Sequence, residues 1–470
     1  MTPFSYLTMA ETIERLKKRE ISPVELVSGH LQRIGSLQPQ LNAFVHVDGE
    51  SALARAREIE SAVQRGQSLG VLAGIPLSMK SNIDVAGWPC PAGSLLRKDY
   101  VPSTNAVLVD RLEAQGAIIL GNTNVPEFLM SYETDSRIQG KTPNPWNLTY
   151  SAGGSSGGEA AAITSGCSMG GVGSDGGGSI RAPAHSCGIC GLKPTPGRVT
   201  TTGHFPPGAG AFGWIGVVGP MARTAADLRI LFEVVAGPDP GDALSSPVPI
   251  RKISPERVRG LRVGVLDNTA ALGLPTSETT ETVRKAAGLL AELGCNVETI
   301  QLQKLDRAIE LWWFFFGPVI GRLISKNARG KEDLLSPGLQ AYLRVALQGP
   351  EFTLETFMNA CTERDLLREN VMRQIGENTI LLSPVSTEPA FPNGAGNFTA
   401  GAAHNFRDTM RYCQWLNLVG FPGLSLPMGQ SKEKLPINVQ LIGQPYNEEL
   451  LLAVAEALEL ARGPWQAPPI

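Results

Sequence analysis

The stretch Gly153-Gly-Ser-Ser-Gly-Gly-Glu-Ala-Ala-Ala-Ile163, followed after a short segment by Gly173-Ser-Asp-Gly-Gly-Gly-Ser-Ile-Arg181, decides how the rest of this 470-residue chain is read. Eleven of the 26 residues from Gly153 to Gly178 are glycine, too many for an ordinary helix or strand. Glycine weakens regular elements and serves where the backbone needs positive φ or must let another group come close. Two glycine clusters built around serines therefore point to backbone shaped for chemistry. Between them Glu159 to Ile163 is a good helix former, so Ser155 and Ser156 lie just before a helix start. Ser179 follows small residues that can end a strand. Both placements leave backbone N–H groups free to bind an anion.

Length and charge narrow the remainder. A single core usually stops growing near ~250 to 300 residues, so either two domains or one enlarged α/β domain with a cap is expected. The balance of 41 basic against 44 acidic residues gives no electrostatic footprint for nucleic acid or an anionic membrane, and suits a small neutral substrate. Seven scattered cysteines make no disulfide framework, and Met1 to Leu16 has no apolar region behind a basic start. A reducing, cytoplasmic setting is expected. The densest apolar run, Leu311 to Phe316, falls short of the ~20 residues a spanning helix needs, so no integral membrane segment is expected.

Thr8, and Ser22 with Pro23, read as caps of two amphipathic helices. Leu41 to Val47 reads as a strand and Ser51 to Gln64 as a charge-rich helix. Leu72-Ala-Gly-Ile-Pro-Leu-Ser-Met-Lys80 runs apolar and extended into a lysine. Beyond Thr104 helices and strands alternate: helix Asn105 to Gln115 stopped by Gly116, strand Ala117 to Leu120, strand Leu261 to Leu266, helix Thr279 to Leu293, strand Cys295 to Ile300. This order predicts a large parallel or mixed sheet covered by helices. Asp306 to Asn378 is helical by composition and carries Trp312-Trp-Phe-Phe-Phe316, which is either the core of a helical layer or a lid whose aromatics line an apolar channel. A glycine-rich loop to Ala403, a strand Ile437 to Ile442 and a helix Glu448 to Ala461 close the chain.

A serine nucleophile needs a base within hydrogen-bond reach. Of the five histidines only His185 lies near the glycine clusters, and no aspartate sits at a telling spacing to orient it. The Gly-x-Ser-x-Gly elbow is also broken, with Arg181 where the last glycine belongs.

Gly153-Gly-Ser-Ser-Gly-Gly158, Asp175-Gly-Gly-Gly-Ser-Ile-Arg181 and Gly74-Ile-Pro-Leu-Ser-Met-Lys80 together resemble the amidase signature family of serine hydrolases. The likeness continues through Leu120-Gly-Asn-Thr-Asn124, Asn144-Pro-Trp146, Cys187-Gly-Ile-Cys-Gly-Leu-Lys-Pro-Thr195, Gly219-Pro-Met-Ala-Arg223 and Gln440-Leu-Ile-Gly443. It implies one α/β domain over 1–470, with a large mixed sheet covered by helices on both faces, a catalytic core over 74–199 and a helical cap or lid over 306–378. It also implies a Ser-Ser-Lys triad: Ser179 as nucleophile, Ser155 after a cis peptide bond as proton relay, and Lys80 as general base. A lysine is a base only when neutral, and burial without a carboxylate partner favours that form.

By the same resemblance the N–H groups of Gly176, Gly177, Gly178 and Ser179 form an oxyanion hole, and Ser156, Asp175 and Arg181 support the loop. Gly176 departs from the threonine or isoleucine more usual there. Leu129-Met130-Ser131-Tyr132 is similar to a segment lining the acyl pocket of fatty acid amide hydrolase, so Leu129, Met130 and Ser131, with Trp312 and Phe316, are candidate substrate contacts. Cys187 and Cys190 are expected to pack, with no metal and no cofactor. One branch of the family, the glutaminase component of the tRNA-dependent glutamine amidotransferase, holds the glutamine ammonium with an acid inside a Tyr-Leu-x-Asp-Ile-Phe run. The corresponding Met410-Arg-Tyr-Cys-Gln-Trp-Leu-Asn-Leu-Val-Gly420 lacks that acid, although Asp408 is near. An uncharged aromatic or alkyl amide is therefore the expected substrate, with carbamates (urethanes) and esters sharing its chemistry; the alternative is the glutaminase component of such an amidotransferase. A homodimer is left open.

Overall fold

Eleven strands form one mixed sheet in the computed structural model, which describes residues 4–67, 69–348, 352–376, 379–395 and 408–470. In chain order they are β1 (Phe44–Val47), β2 (Pro76–Lys80), β3 (Ile118–Thr123), β4 (Gly170–Asp175), β5 (Cys190–Lys193) and β6 (Val217–Ala222). The second half adds β7 (Arg262–Leu266), β8 (Asn296–Ile300), β9 (Thr379–Pro384), β10 (Gly423–Gln430) and β11 (Pro436–Ile442). Across the sheet the order is β1-β3-β2-β4-β6-β5-β10-β11-β9-β7-β8. Strand β2 runs parallel to both β3 and β4, and β7 parallel to both β8 and β9; the other pairings are antiparallel.

Local chemistry sets many boundaries. Thr8 and Ser22 each make a reciprocal capping box, with Glu11 and Glu25, so the first two helices start where their caps predict. The second helix, Pro23–Leu41, runs on to Leu41 and stops at Asn42, which takes a left-handed φ of 48°. The first strand accordingly begins at Phe44 rather than Leu41. Asparagine tolerates that conformation better than most residues, so it ends the helix without a glycine. Gly116 does the same at φ 85° after the helix Val107–Ala114. Part of the glycine-rich loop toward Ala403 lies outside the described residues.

Strands β2 and β4 are buried along their whole length. One apolar cluster packs Leu77, Met79, Val172, Val218 and Leu424 against the helices Ala225–Val235, Ser277–Glu292 and Glu448–Arg462. Another centres on the helix Gly157–Thr164 with Ala160, Ala161 and Ile163. That helix can approach β4 because Gly171 has no side chain: a Cβ there would lie 1.9 Å from Glu159 Oε1.

The helices Leu305–Phe314, Ile320–Ala328, Pro337–Leu347 and Leu354–Ile375 make a third layer, whose buried Leu311, Trp312, Phe315 and Phe316 cluster with Met130, Tyr132, Ile215 and Trp415. Most of the aromatic run is thus core, while Trp313 and Phe314 are only half-buried. The joined stretch Leu305–Ala328 has a mean hydropathy of 1.2 over 18 residues, more than the short apolar run Leu311 to Phe316 suggests on its own, and 50% of that window is buried inside the protein. All seven cysteines are free, and Cys187 and Cys190 make only backbone contacts, with Ala152 and Arg223.

Candidate active site

Lys80 is the last residue of β2, and Ser174 and Asp175 end the parallel neighbour β4, so the lysine and the glycine loop emerge together at the carboxyl ends of adjacent strands. In α/β sheets ligands bind at this edge. Fully buried, the Lys80 Nζ lies 2.7 Å from Ser155 Oγ, 3.0 Å from Ser174 Oγ and 3.3 Å from the Ser174 carbonyl. Among the described residues no carboxylate comes within ion-pair distance of it. Burial drives the lysine well below its ordinary value, opposed by the more distant charges of Asp175 and Glu159. Glu159 is itself pushed up by burial to about 7, and its carboxyl accepts hydrogen bonds from Ser78 Oγ at 2.5 Å and Thr123 Oγ1 at 2.8 Å.

Ser155 follows a cis peptide bond from Gly154. Its neighbour Ser156 caps the helix Gly157–Thr164, and its Oγ lies 3.4 Å from both the N–H and the carbonyl of Ser174. Ser155 and the half-buried Ser179 line one small cavity with Leu129, Met130, Ser174, Asp175, Gly176, Phe212, Val217 and Phe316. Ser131 is absent from that wall; its hydroxyl accepts the Glu133 N–H at 3.0 Å.

The loop between β4 and the helix Arg181–Cys187 is held peptide by peptide. The Asp175 carbonyl accepts from Asn417 Nδ2 at 3.1 Å, the Gly176 carbonyl from the Trp312 indole at 2.8 Å, the Gly177 carbonyl from Tyr132 Oη at 2.5 Å and the Gly178 carbonyl from the Ala182 N–H at 2.7 Å. In a trans peptide C=O and N–H point opposite ways, so fixing each carbonyl also aims the following N–H. The Gly178 N–H is spent on Asp175 Oδ1 at 2.7 Å, which removes it from the expected oxyanion donors. No described residue accepts the N–H of Gly176, Gly177 or Ser179, and these three remain available.

Asp175 gathers this loop. Besides Gly178 its carboxylate accepts the Ile180 N–H at 3.1 Å, Arg181 Nη2 at 2.9 Å and Asn417 Nδ2 at 2.9 Å. Burial alone would raise this acid, but the Arg181 guanidinium beside it holds it well below the usual carboxylate range. Arg181 in turn is anchored by Gln440 at 2.7 Å and Asn417 at 2.6 Å.

Sequence reasoning missed Ser174, Asn82, Tyr132, Asn417 and Glu159. Asn82 donates to His204 Nε2 at 2.7 Å and reaches Ser174 Oγ at 3.4 Å, which extends the lysine's hydrogen-bond network to a histidine kept neutral by burial, at about 4. Ser174 and Asn82 sit one and two positions from motif residues, which is the only signal that could have found them. His185 is no base: both its ring nitrogens are engaged, with the Glu388 carbonyl and the Asn438 N–H, each at 3.0 Å. Among the described residues no three His, Cys, Asp or Glu side chains group to hold a metal.

Comparison with known proteins agrees with this geometry. The Amidase family pattern matches residues 25–452. Over 473 residues the chain is 33% identical to the GatA-type component of the glutamyl-tRNA(Gln) amidotransferase from Microcystis aeruginosa, covering 95% of this chain and 96% of the relative. A solved bacterial aryl acylamidase of the amidase signature family superposes with a TM-score of 0.86 at 26% identity, over 98% of this chain and 97% of the other. A 6-aminohexanoate cyclic dimer hydrolase solved with its substrate gives a TM-score of 0.86 at 28% identity, over 99% of both chains. The fold and these matches define a hydrolase of C–N bonds. The chain belongs to the amidase signature family.

Proposed function

We propose that this chain is a free-standing, cytoplasmic amidohydrolase that cleaves uncharged apolar amides through Ser179, Ser155 and Lys80. The observation that carries the reading is the buried Lys80 amine, 2.7 Å from Ser155 Oγ and paired with no acid among the described residues. Held neutral, that amine accepts the Ser155 proton while Ser155 Oγ takes the proton of Ser179. Ser179 Oγ then bonds to the amide carbon, and the amide oxygen becomes the oxyanion, received by the N–H groups of Gly176, Gly177 and Ser179. Donors fixed in this way are worth about 3 to 4 kcal/mol each in hydrolases. The proton returns through Ser155 to the departing amine as the C–N bond breaks. Water, activated by the same relay, cleaves the acyl-enzyme and restores Ser179. Carbamates and esters pass through the same tetrahedral species and belong to the proposed range.

Leu129, Met130, Phe212, Val217 and Phe316 around Ser179 support an apolar substrate. The alternative, a glutaminase working within a complex of partner proteins, is favoured by the likeness to the amidotransferase components. Against it, Asp408 is paired with Arg411, and the one acid in the cavity wall, Asp175, is consumed by Arg181. No free carboxylate among the described residues of that wall receives an ammonium. Assaying the purified chain alone on an anilide, a carbamate and glutamine tests the proposal. Anilide or carbamate turnover is expected; glutamine turnover that requires an added partner would sink it.

A further inference from the structure

Beside the catalytic cavity lies a larger one of about 540 Å³, walled by Phe128, Met130, Phe205, Phe212 and Ile320 and carrying one cation, Arg97. Met130 and Phe212 belong to both, so the two cavities meet at these side chains. An apolar arm attached to a carbonyl at Ser179 has room to continue there.

Arg97 is held in an unusual way. It ends a short helical turn whose capping residue, Ser94, is tied by a 2.7 Å hydrogen bond to Glu127. Its guanidinium carbon lies 4.0 Å from the ring centres of both Tyr100 and Phe205. Phe205 is fixed in turn by two 2.8 Å hydrogen bonds with Asn82, the residue that also reaches Ser174. Aromatic faces therefore orient the cation in place of an acid. Among the described residues no carboxylate lies within ion-pair distance of it; its one protein hydrogen bond is a long 3.5 Å contact from Nη2 to the Cys90 carbonyl, and its buried Nε has no partner. Asp84 acts on it only through space, and accepts the Tyr100 hydroxyl at 3.2 Å.

A guanidinium offers five N–H donors in a fork that matches a carboxylate. Leaving most of them unmet at the wall of an apolar cavity is costly unless a ligand supplies the acceptor. We propose that Arg97 is a carboxylate receptor, so that the favoured substrate is an amide whose apolar acyl arm ends in a carboxylate. This rests on the hydrolase reading above and narrows it. The reacting amide stays uncharged, the arm fills the apolar cavity, and the distal anion makes a charge-assisted pair that no neutral arm can replace.

Aniline release from the mono-anilide of adipic acid and from hexanoic anilide tests this with wild type, Arg97→Met and Arg97→Lys. Wild type is expected to favour the acid by about tenfold or more in kcat/KM, with the difference carried by KM. In Arg97→Met the ratio should fall to about one, and Arg97→Lys should keep part of it. An equal ratio in wild type and Arg97→Met would overturn the assignment. Calorimetric titration with 4-phenylbutyrate and 4-phenylbutanol reads the same site without turnover. If neither anilide is cleaved the hydrolase reading fails by itself; Arg97 is then judged by whether the acid binds wild type more tightly than Arg97→Met, and equal binding overturns the receptor.

Discussion

Trp312 donates its indole N–H to the carbonyl of Gly176 at 2.8 Å, so a helix of the third layer sets the peptide plane that presents the Gly177 amide to the catalytic cavity. The ring also stacks on Phe316, with centroids 4.7 Å apart, and Phe316 lines that cavity. The helical layer thus takes part in shaping the site as well as covering it.

Trp312→Phe keeps an aromatic ring and removes the donor. A hydrogen bond of this kind contributes about 0.5 to 1.5 kcal/mol net. The expected result is a fall in kcat of up to about tenfold with a smaller change in KM. Steady-state kinetics beside a thermal melt separates this from a loss of fold; unchanged kcat would show that the indole does not position the loop.

Gly177→Ala places a Cβ 2.4 Å from Trp312 Cζ2. Overpacking of this sort costs about 1 to 3 kcal/mol. A lowered Tm together with a larger kcat loss than in Trp312→Phe is expected, because the glycine loop itself must shift.

Ser179→Ala should abolish turnover, and Lys80→Ala should lower it by about 10³-fold or more. Wild-type rates in either variant would refute the triad. Single-turnover trapping of an acyl-enzyme on Ser179, followed by mass spectrometry, is the direct check.

Activity should rise with pH as Lys80 loses its proton and fall away in acid. Ionised Glu159 stabilises the charged lysine, so its charge raises the Lys80 pKa against the dominant effect of burial. Glu159→Gln removes that charge and is expected to move the acid limb of the kcat/KM profile to lower pH. A shift toward alkaline pH would contradict the sign.

Arg181 and Asp175 are both fully buried and paired at 2.9 Å. Removing one partner of such a pair costs about 3 to 5 kcal/mol. Arg181→Met should therefore lower stability strongly in urea melts. The Asp175 carboxyl is depressed in the folded chain, so the unfolded chain binds the extra proton first. Its contribution is present above the unfolded value of about 3.9 and is lost as pH falls below it. Asp175→Asn should flatten the stability curve there.

The helix caps at Thr8 and Ser22, the stop at Gly116 and the sheet-and-helix order could all be read along the chain, because each depends on residues a few positions apart. Within the site, the placing of Ser131 and Gly178 departs from that reading, and in both a close neighbour competes: the Glu133 N–H takes the serine hydroxyl, and the Asp175 carboxylate takes the glycine amide. The motif names both residues without saying which way an N–H or a hydroxyl turns.

Sequence by itself determined which residues carry the chemistry: the lysine at the end of an apolar strand, the serines among glycines, and the missing acid in the 410–420 segment. Tertiary structure alone decided what those groups are able to do. Trp312 and Gly176 are 136 residues apart, and Asn417 and Asp175 are 242 apart. Burial of Lys80 and the aim of each loop amide arise only when such distant segments close around them, since desolvation and peptide orientation are properties of surroundings that no local pattern encodes.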